Sequence, residues 1–246
     1  MIQIDKRYAR QVMLPEIGES GQARLKSSNV MVIGAGGLGS PLLMYLAAAG
    51  VGHIAIVDFD VVDESNLNRQ FLHTTHNIGQ LKVASAKEAI QLLNPTIEVE
   101  CHTAQLNQGN ARELIGQRDL VLDAVDSFGA KFVINDTCVA LAQPFIHAGV
   151  TGMSGQLYLY RPGNACLRCV FPPLPKDIEG PLGLGIVGAA AGVIGAQQAL
   201  LAVRFLLGIV AENQNELLSF DGATLRQRAV SMVKSDKCPA CGKFSL

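Results

Sequence analysis

The segment that most constrains how this chain can fold spans residues 29–58, N-V-M-V-I-G-A-G-G-L-G-S-P-L-L-M-Y-L-A-A-A-G-V-G-H-I-A-I-V-D. A short apolar run from Val30 to Ile33 breaks at Gly34, Gly36, Gly37 and Gly39, an apolar stretch of helical length follows, and a second β-branched run ends on Asp58. Strand, glycine turn, helix, strand, acid is the order of a nucleotide-binding βαβ unit. In that reading Gly34 permits the tight turn, Gly36 lets backbone N–H groups approach a phosphate, and Gly39 lets the helix pack close to the strand. The helix N-terminus adds a partial positive charge. Asp58 follows Gly39 by nineteen residues, where an acidic side chain meets a ribose hydroxyl. The turn alone leaves NAD, FAD and ATP open.

A chain of 246 residues is long enough for one large domain, or for a domain with an appendage. Its net charge of −1 is spread among interspersed acids and bases, which argues against a nucleic-acid or acidic-membrane surface. Six cysteines behind a polar start, M-I-Q-I-D-K-R, are expected in a reducing cytoplasm, where paired cysteines hold metal more often than they form disulfides. The one membrane candidate, residues 186–210, places Gln197, Gln198 and Arg204 where hydrocarbon would penalise them. Its alanines and glycines suit a helix packed in a core or at a subunit interface, and that is the expectation.

Around the glycine unit, strand and helix alternate. Short helices are predicted over residues 5–12 and 20–27, the first with Arg7 and Arg10 on a charged face. Residues 59–73 read as an ordered loop in which Ser65 or Asn66 caps a short helix. A helix over 79–93 ends at Asn94-Pro95, a strand alternates over 96–101, and a helix covers 111–115. D-L-V-L-D-A-V at 119–125 is the continuous apolar run of a strand buried on both faces; a helix then leads to a strand over 144–148. Beyond Val150 the pattern changes, with antiparallel strands expected at 155–160 and 225–233 on either side of the long helix. The expected fold is α/β: a doubly wound, mostly parallel, Rossmann-like sheet extended by antiparallel C-terminal strands. It forms a single domain, with residues 1–150 as the nucleotide-binding half and residues 151–246 carrying the remainder. Residues 172–188, rich in proline and glycine, read as a long functional loop.

Two groups of residues carry chemistry. Cys166-Leu-Arg-Cys169 and Cys238-Pro-Ala-Cys241 are C-x-x-C knuckles, and four thiolates make a closed tetrahedral site for structural Zn²⁺. About 70 residues separate them, so the metal would clip the C-terminal tail to the segment after Tyr160. Cys101 and Cys138 are expected as buried small hydrophobes. The second group is cationic: Arg10, Arg69 and Lys82 occur close in sequence to the glycine turn. A nicotinamide enzyme has little use for so many cations, whereas a triphosphate attacked at its α-phosphate needs them. Asp126, after a central strand, is placed to hold Mg²⁺ against the same phosphates.

These residues carry a family resemblance. R-Y-A-R-Q at 7–11, G-A-G-G-L-G-S-P at 34–41, D-F-D at 58–60, S-N-L-N-R-Q at 65–70, G-Q-L-K-V at 79–83, D-L-V-L-D at 119–123 and both C-x-x-C pairs resemble the ThiF/MoeB/HesA family, bacterial relatives of ubiquitin-activating enzymes. The resemblance implies a homodimeric, Mg·ATP-dependent adenylyltransferase acting on the C-terminal glycine of a ubiquitin-like sulfur carrier of the ThiS/MoaD kind. By position Gly37 and Asp58 would hold the nucleotide, Asn66, Arg69 and Lys82 would face its phosphates, and Asp126 would meet Mg²⁺, with Ser65 and Ser127 counted among the nucleotide-binding residues. Arg10 would reach the partner subunit's site, and residues 151–246 would supply carrier, zinc and dimer contacts.

Where the family reads D-x-x-D-N-x-x-x-R, this chain has Asp123-Ala-Val-Asp126-Ser127 and then Lys131, departures expected to loosen nucleotide contacts without removing the metal acid. The crossover segment at 176–182 lacks the reactive cysteine of thiamine-pathway members, so the adenylate would pass to an external sulfur donor, although L-L-S-F-D-G at 217–222 leans to the thiamine branch. Two rival readings remain beside this one: a non-catalytic carrier-binding adaptor, and a nicotinamide-dependent oxidoreductase on the same fold.

Overall fold

The computed structural model describes residues 6–171, 185–210 and 215–242. A 3-10 turn (Lys6–Tyr8) leads into α1 (Ala9–Val12) and α2 (Gly18–Ser27), followed by β1 (Asn29–Ile33), α3 (Gly39–Ala49) and β2 (His53–Val57). Then come α4 (Lys82–Leu93), β3 (Glu98–His102), α5 (Ala111–Ile115), β4 (Leu120–Asp123), α6 (Phe128–Ala140) and β5 (Phe145–Thr151). The C-terminal part contributes β6 (Ser154–Tyr160), α7 (Leu167–Val170), α8 (Gly188–Leu206), β7 (Glu216–Asp221) and β8 (Arg226–Ser231).

The strands form one sheet in the order β3-β2-β1-β4-β5-β6-β7-β8. Pairings from β3 to β5 are parallel and those from β5 to β8 antiparallel, so the expected architecture is present. Alternation along β1 explains how both faces are filled. Val30 and Val32 join a core with Leu42, Leu46, Ile90 and Ile194 of α3, α4 and α8, whereas Met31 and Ile33 face Ile115, Ile134 and Cys138 of α5 and α6. The cysteines Cys166 and Cys238 belong to the second core.

Helix α8 meets the length and composition test for a membrane span, but half of its apolar window is buried within the fold. Small residues make that packing possible. A Cβ at Gly195 would lie 2.4 Å from Leu38 O and 2.5 Å from Pro41 Cγ, so only glycine lets α8 come this close to α3. Its buried Gln198 has a core function as well, donating from Nε2 to Asp123 O (2.9 Å) and Ile146 O (3.0 Å). A polar group that would be costly in lipid thus ties the ends of β4 and β5 to the helix.

Four expectations need correction. The 3-10 turn Glu64–Asn66 is capped by Asp63, which accepts from Ser65 N–H, and not by Ser65 or Asn66. Helix α4 starts at Lys82, because Gly79 sits at φ +83° and Leu81 is engaged in a bridge with Val61. Cys101 is exposed on strand β3 at the sheet edge instead of buried, while Cys138 is buried as expected. Strand β7 was not anticipated. Most of the proline-rich loop, residues 172–184, lies outside the described residues.

Candidate nucleotide site and metal centre

The strand order reverses between β1 and β4, and the crevice at the carboxyl ends of such strands is where this sheet type binds ligands. The glycine turn lies there. Gly34 adopts φ +103°, and a Cβ on it would stand 2.6 Å from Ala124 O, while a Cβ at Gly39 would stand 2.2 Å from Gly34 O. Both positions admit only glycine, and the result is a turn pressed against the end of β4 with α3 starting directly from it.

Two side chains, Asp58 and His73, hold the turn. Asp58 Oδ2 accepts from Ala35 N–H at 2.8 Å, and its Oδ1 accepts from Asp60 N–H at 2.9 Å. Ala35 O in turn accepts from His73 Nε2 at 2.9 Å. Since a carbonyl only accepts, His73 carries its proton on Nε2, and Nδ1 takes a hydrogen bond from the Ser85 hydroxyl at 2.8 Å. His73 therefore joins the turn to α4, the helix that starts with Lys82. Burial holds its imidazole below the ordinary histidine range, against the opposing pull of the Ala35 carbonyl. Buried Gln70 lies beside Gly36.

The cations are close by. Arg69 runs past Gly37, its Cγ 3.5 Å from where a Cβ would sit there, and its Nη1 donates to Ser65 O and Asn68 Oδ1, both at 2.9 Å. Lys82 is buried and pairs with Asp60 at 2.8 Å. Asn66 Oδ1 is used in the capping box with Asp63, and Ser127 caps α6 by accepting from Ala130 N–H at 3.3 Å. Asp126 follows β4 at the same sheet edge and is exposed, its carboxylate in no ion pair among the described residues.

Gly34, Gly36, Gly37, Gly39, Asp58, Arg69, Lys82 and Asp126 are thus brought to one edge of the sheet. Arg10 is not. Its helix packs against the far end of α3, where Gln11 and Gln22 both donate to Ala49 O at 3.0 Å and Asn94 donates to the Tyr8 hydroxyl at 2.8 Å. The 11 residues of α3 put about 16 Å between that arm and the glycine turn of the same chain. Sequence reasoning missed Asp60, Gln70 and His73. D-F-D offered a second acid as a signal for Asp60, but nothing in R-Q-F-L-H marked the other two.

On the other face, α7 carries Cys166 and Cys169 to the two C-terminal cysteines. All four Sγ atoms lie within 4.8 Å of one another, with Cys166 to Cys238 at 3.6 Å and Cys169 to Cys241 at 3.4 Å. A tetrahedral Zn²⁺ with sulfur ligands sets S···S near about 3.8 Å, a spacing that this cluster brackets, so the four cysteines could hold a metal ion. Ser235 N–H also points at Cys169 Sγ, at 3.5 Å. The knuckle is tied to α6 by Arg168, paired with Asp136 at 2.6 Å, and by Leu167 N–H donating to Asn135 Oδ1 at 2.8 Å.

With this geometry in view, the model of the ThiF family matches residues 8–241. The chain belongs to the ThiF family. Among curated relatives, it is 43% identical over 240 residues to a protein of Culex quinquefasciatus named adenylyltransferase and sulfurtransferase MOCS3, covering 96% of this chain and 55% of the relative. A relative of the same name from Anopheles gambiae is 41% identical, covering 96% of this chain and 55% of its own length. The chain thus spans about half the length of the curated relatives it matches. Crystal structures of E. coli MccB with MccA-N7isoASN and of E. coli MccB with ATP superpose with TM-scores of 0.85 and 0.83 at 24% and 23% identity, each covering 97% of this chain and 75% of the other, and confirm the fold. The relatives' names lend no support to a thiamine branch for this ThiF family member.

Proposed function

We propose that this chain binds Mg·ATP in the crevice between β1 and β4 and adenylates the C-terminal glycine carboxylate of a ubiquitin-like sulfur carrier, releasing pyrophosphate. The observation that carries this reading is the convergence of the clamped glycine turn, Arg69, buried Lys82 and exposed Asp126 at one switch point of a ThiF-family chain. The names of its MOCS3 relatives support the same reaction class, and sulfur transfer for molybdopterin synthesis is the use we favour.

The chemistry asks little of the protein beyond position and charge. A carboxylate is ionised at neutral pH, so it attacks the α-phosphorus without a general base, and an acyl adenylate forms as the bond to pyrophosphate breaks. Asp58 keeps lone pairs for ribose hydroxyls while it holds the turn. Lys82 would leave Asp60 for the phosphates, and Arg69 would join it. Asp126 would hold Mg²⁺, which supplies charge neutralisation of the triphosphate. Arg10, remote from its own turn, would serve the site of the other subunit in a homodimer. The four cysteines would hold a structural Zn²⁺.

ATP–pyrophosphate exchange tests the proposal. Exchange should depend on a carrier ending in Gly-Gly and on Mg²⁺, and should disappear with Asp126→Ala. A protein that binds its carrier but supports no exchange would be an adaptor, and one that binds NADH with no exchange would be an oxidoreductase.

A further inference from the structure

Lys131 stands where the family pattern has arginine, and its surroundings show that it serves the protein, not a ligand. Its side chain is 6% exposed and belongs to α6. The ammonium has three protons, and the acceptors converging on it use all of them: the Asp123 carboxylate (3.1 and 3.3 Å), Val125 O (2.7 Å) and Ala148 O (2.7 Å). No donor is left for a nucleotide.

The rest of the cluster is equally committed. Asp123, 1% exposed, accepts from Val125 N–H at 3.2 Å and from His147 Nδ1 at 2.7 Å. Wholly buried His147 accepts at Nε2 from Gln156 Nε2 at 3.1 Å and is therefore neutral. A buried cation and a buried anion cancel, linking β4, β5, β6 and α6. The consequence lies one residue further on. Val125 has both backbone groups held, its N–H by Asp123 and its carbonyl by Lys131, and the next residue is Asp126. On the other side Ser127 caps α6, and its carbonyl accepts from Lys131 N–H at 3.1 Å.

We infer that Lys131 is a positioning residue for Asp126: with Asp123 it fixes the backbone on both sides of the acid before any cation arrives. The inference rests on the reading that Asp126 holds Mg²⁺. A ligand pre-set in this way binds its ion without first ordering a loop, and groups that orient metal ligands are commonly worth ten- to a hundredfold in metal affinity.

Two measurements test it. Removing Lys131 alone would strand a buried carboxylate, so the informative variant is the double D123N/K131M, which removes both charges together. In carrier-dependent exchange its Mg²⁺ concentration for half-maximal rate should rise about tenfold, with a smaller change in the rate at saturating Mg²⁺. A folded double variant with the parent's Mg²⁺ requirement would overturn the inference, even with a lowered maximal rate. The second measurement is amide hydrogen exchange on the parent without nucleotide. Val125 N–H should be protected before Mg·ATP is added, and exchange there at the rate of an open loop would equally overturn the inference. If the parent shows no exchange activity, the functional reading fails while the amide measurement still decides the brace.

Discussion

At the scale of single residues, His73 ties the glycine turn to α4 through Ala35 O and the Ser85 hydroxyl. Replacing it by phenylalanine leaves Ala35 O and the Ser85 hydroxyl buried without their partner, and should destabilise the fold by about 2 kcal/mol in chemical denaturation. The pH dependence follows from burial. His73 and His147 are both held below the ordinary histidine value by burial, so the unfolded chain takes up protons near pH 6.5 that the folded chain refuses. Stability is therefore fully present above about pH 6.5 and falls as pH drops through the folded values. The melting temperature should decrease from pH 7 to pH 5, and His73→Phe should flatten that slope; an unchanged slope would show that His73 does not contribute to it. None of this was legible beforehand. The partners of His73 lie 38 residues before it and 12 after it, and those of Lys131 lie on β4, on the loop after β4 and on β5, so neither cluster follows from the period of one helix or strand. The glycines and Asp58 were legible because backbone geometry demands them within a single βαβ unit.

At the scale of elements, α8 gives a paired prediction. A Cβ at Gly195 collides with backbone at Leu38 O, which cannot move aside, so Gly195→Ala should cost about 1–3 kcal/mol in denaturant unfolding. One turn earlier, a Cβ at Gly192 meets nothing within 4 Å, and Gly192→Ala should stabilise by about 0.5–1 kcal/mol through helix propensity alone. Equal effects at the two positions would mean that α8 does not pack on α3 as described. Periodicity and punctuation located nearly every strand and helix here, because alternating βαβ units write their boundaries in glycine, proline and apolar runs. Strand β7 is hard to read from sequence because L-L-S-F-D puts apolar residues on both faces, Leu217 in one core and Phe220 in the other, and so lacks a period-2 alternation. The cap at Asp63 is ambiguous in sequence for a simpler reason: Asp63, Ser65 and Asn66 are all good N-cap residues within four positions, and sequence does not rank them.

At the scale of the whole molecule, the knuckles lie on one face of the sheet, and α1 packs on the far end of α3 with Arg10 exposed. Purified protein should contain about one zinc per chain, and Cys238→Ser should lower both zinc content and melting temperature, since metal-site energy is folding energy. The arm predicts complementation. Arg10→Ala and Asp126→Ala subunits, each inactive alone, should regain exchange activity in mixed dimers, and verified mixed dimers without activity would refute the cross-subunit role of Arg10. The most direct test of the central claim follows the oxygen atoms. A carrier labelled with ¹⁸O in its terminal carboxylate is incubated with ATP, Mg²⁺, the protein and sulfide, and the AMP formed is weighed. If the carboxylate attacks the α-phosphorus, each AMP leaves with one labelled oxygen; AMP that carries none would contradict the adenylation reaction.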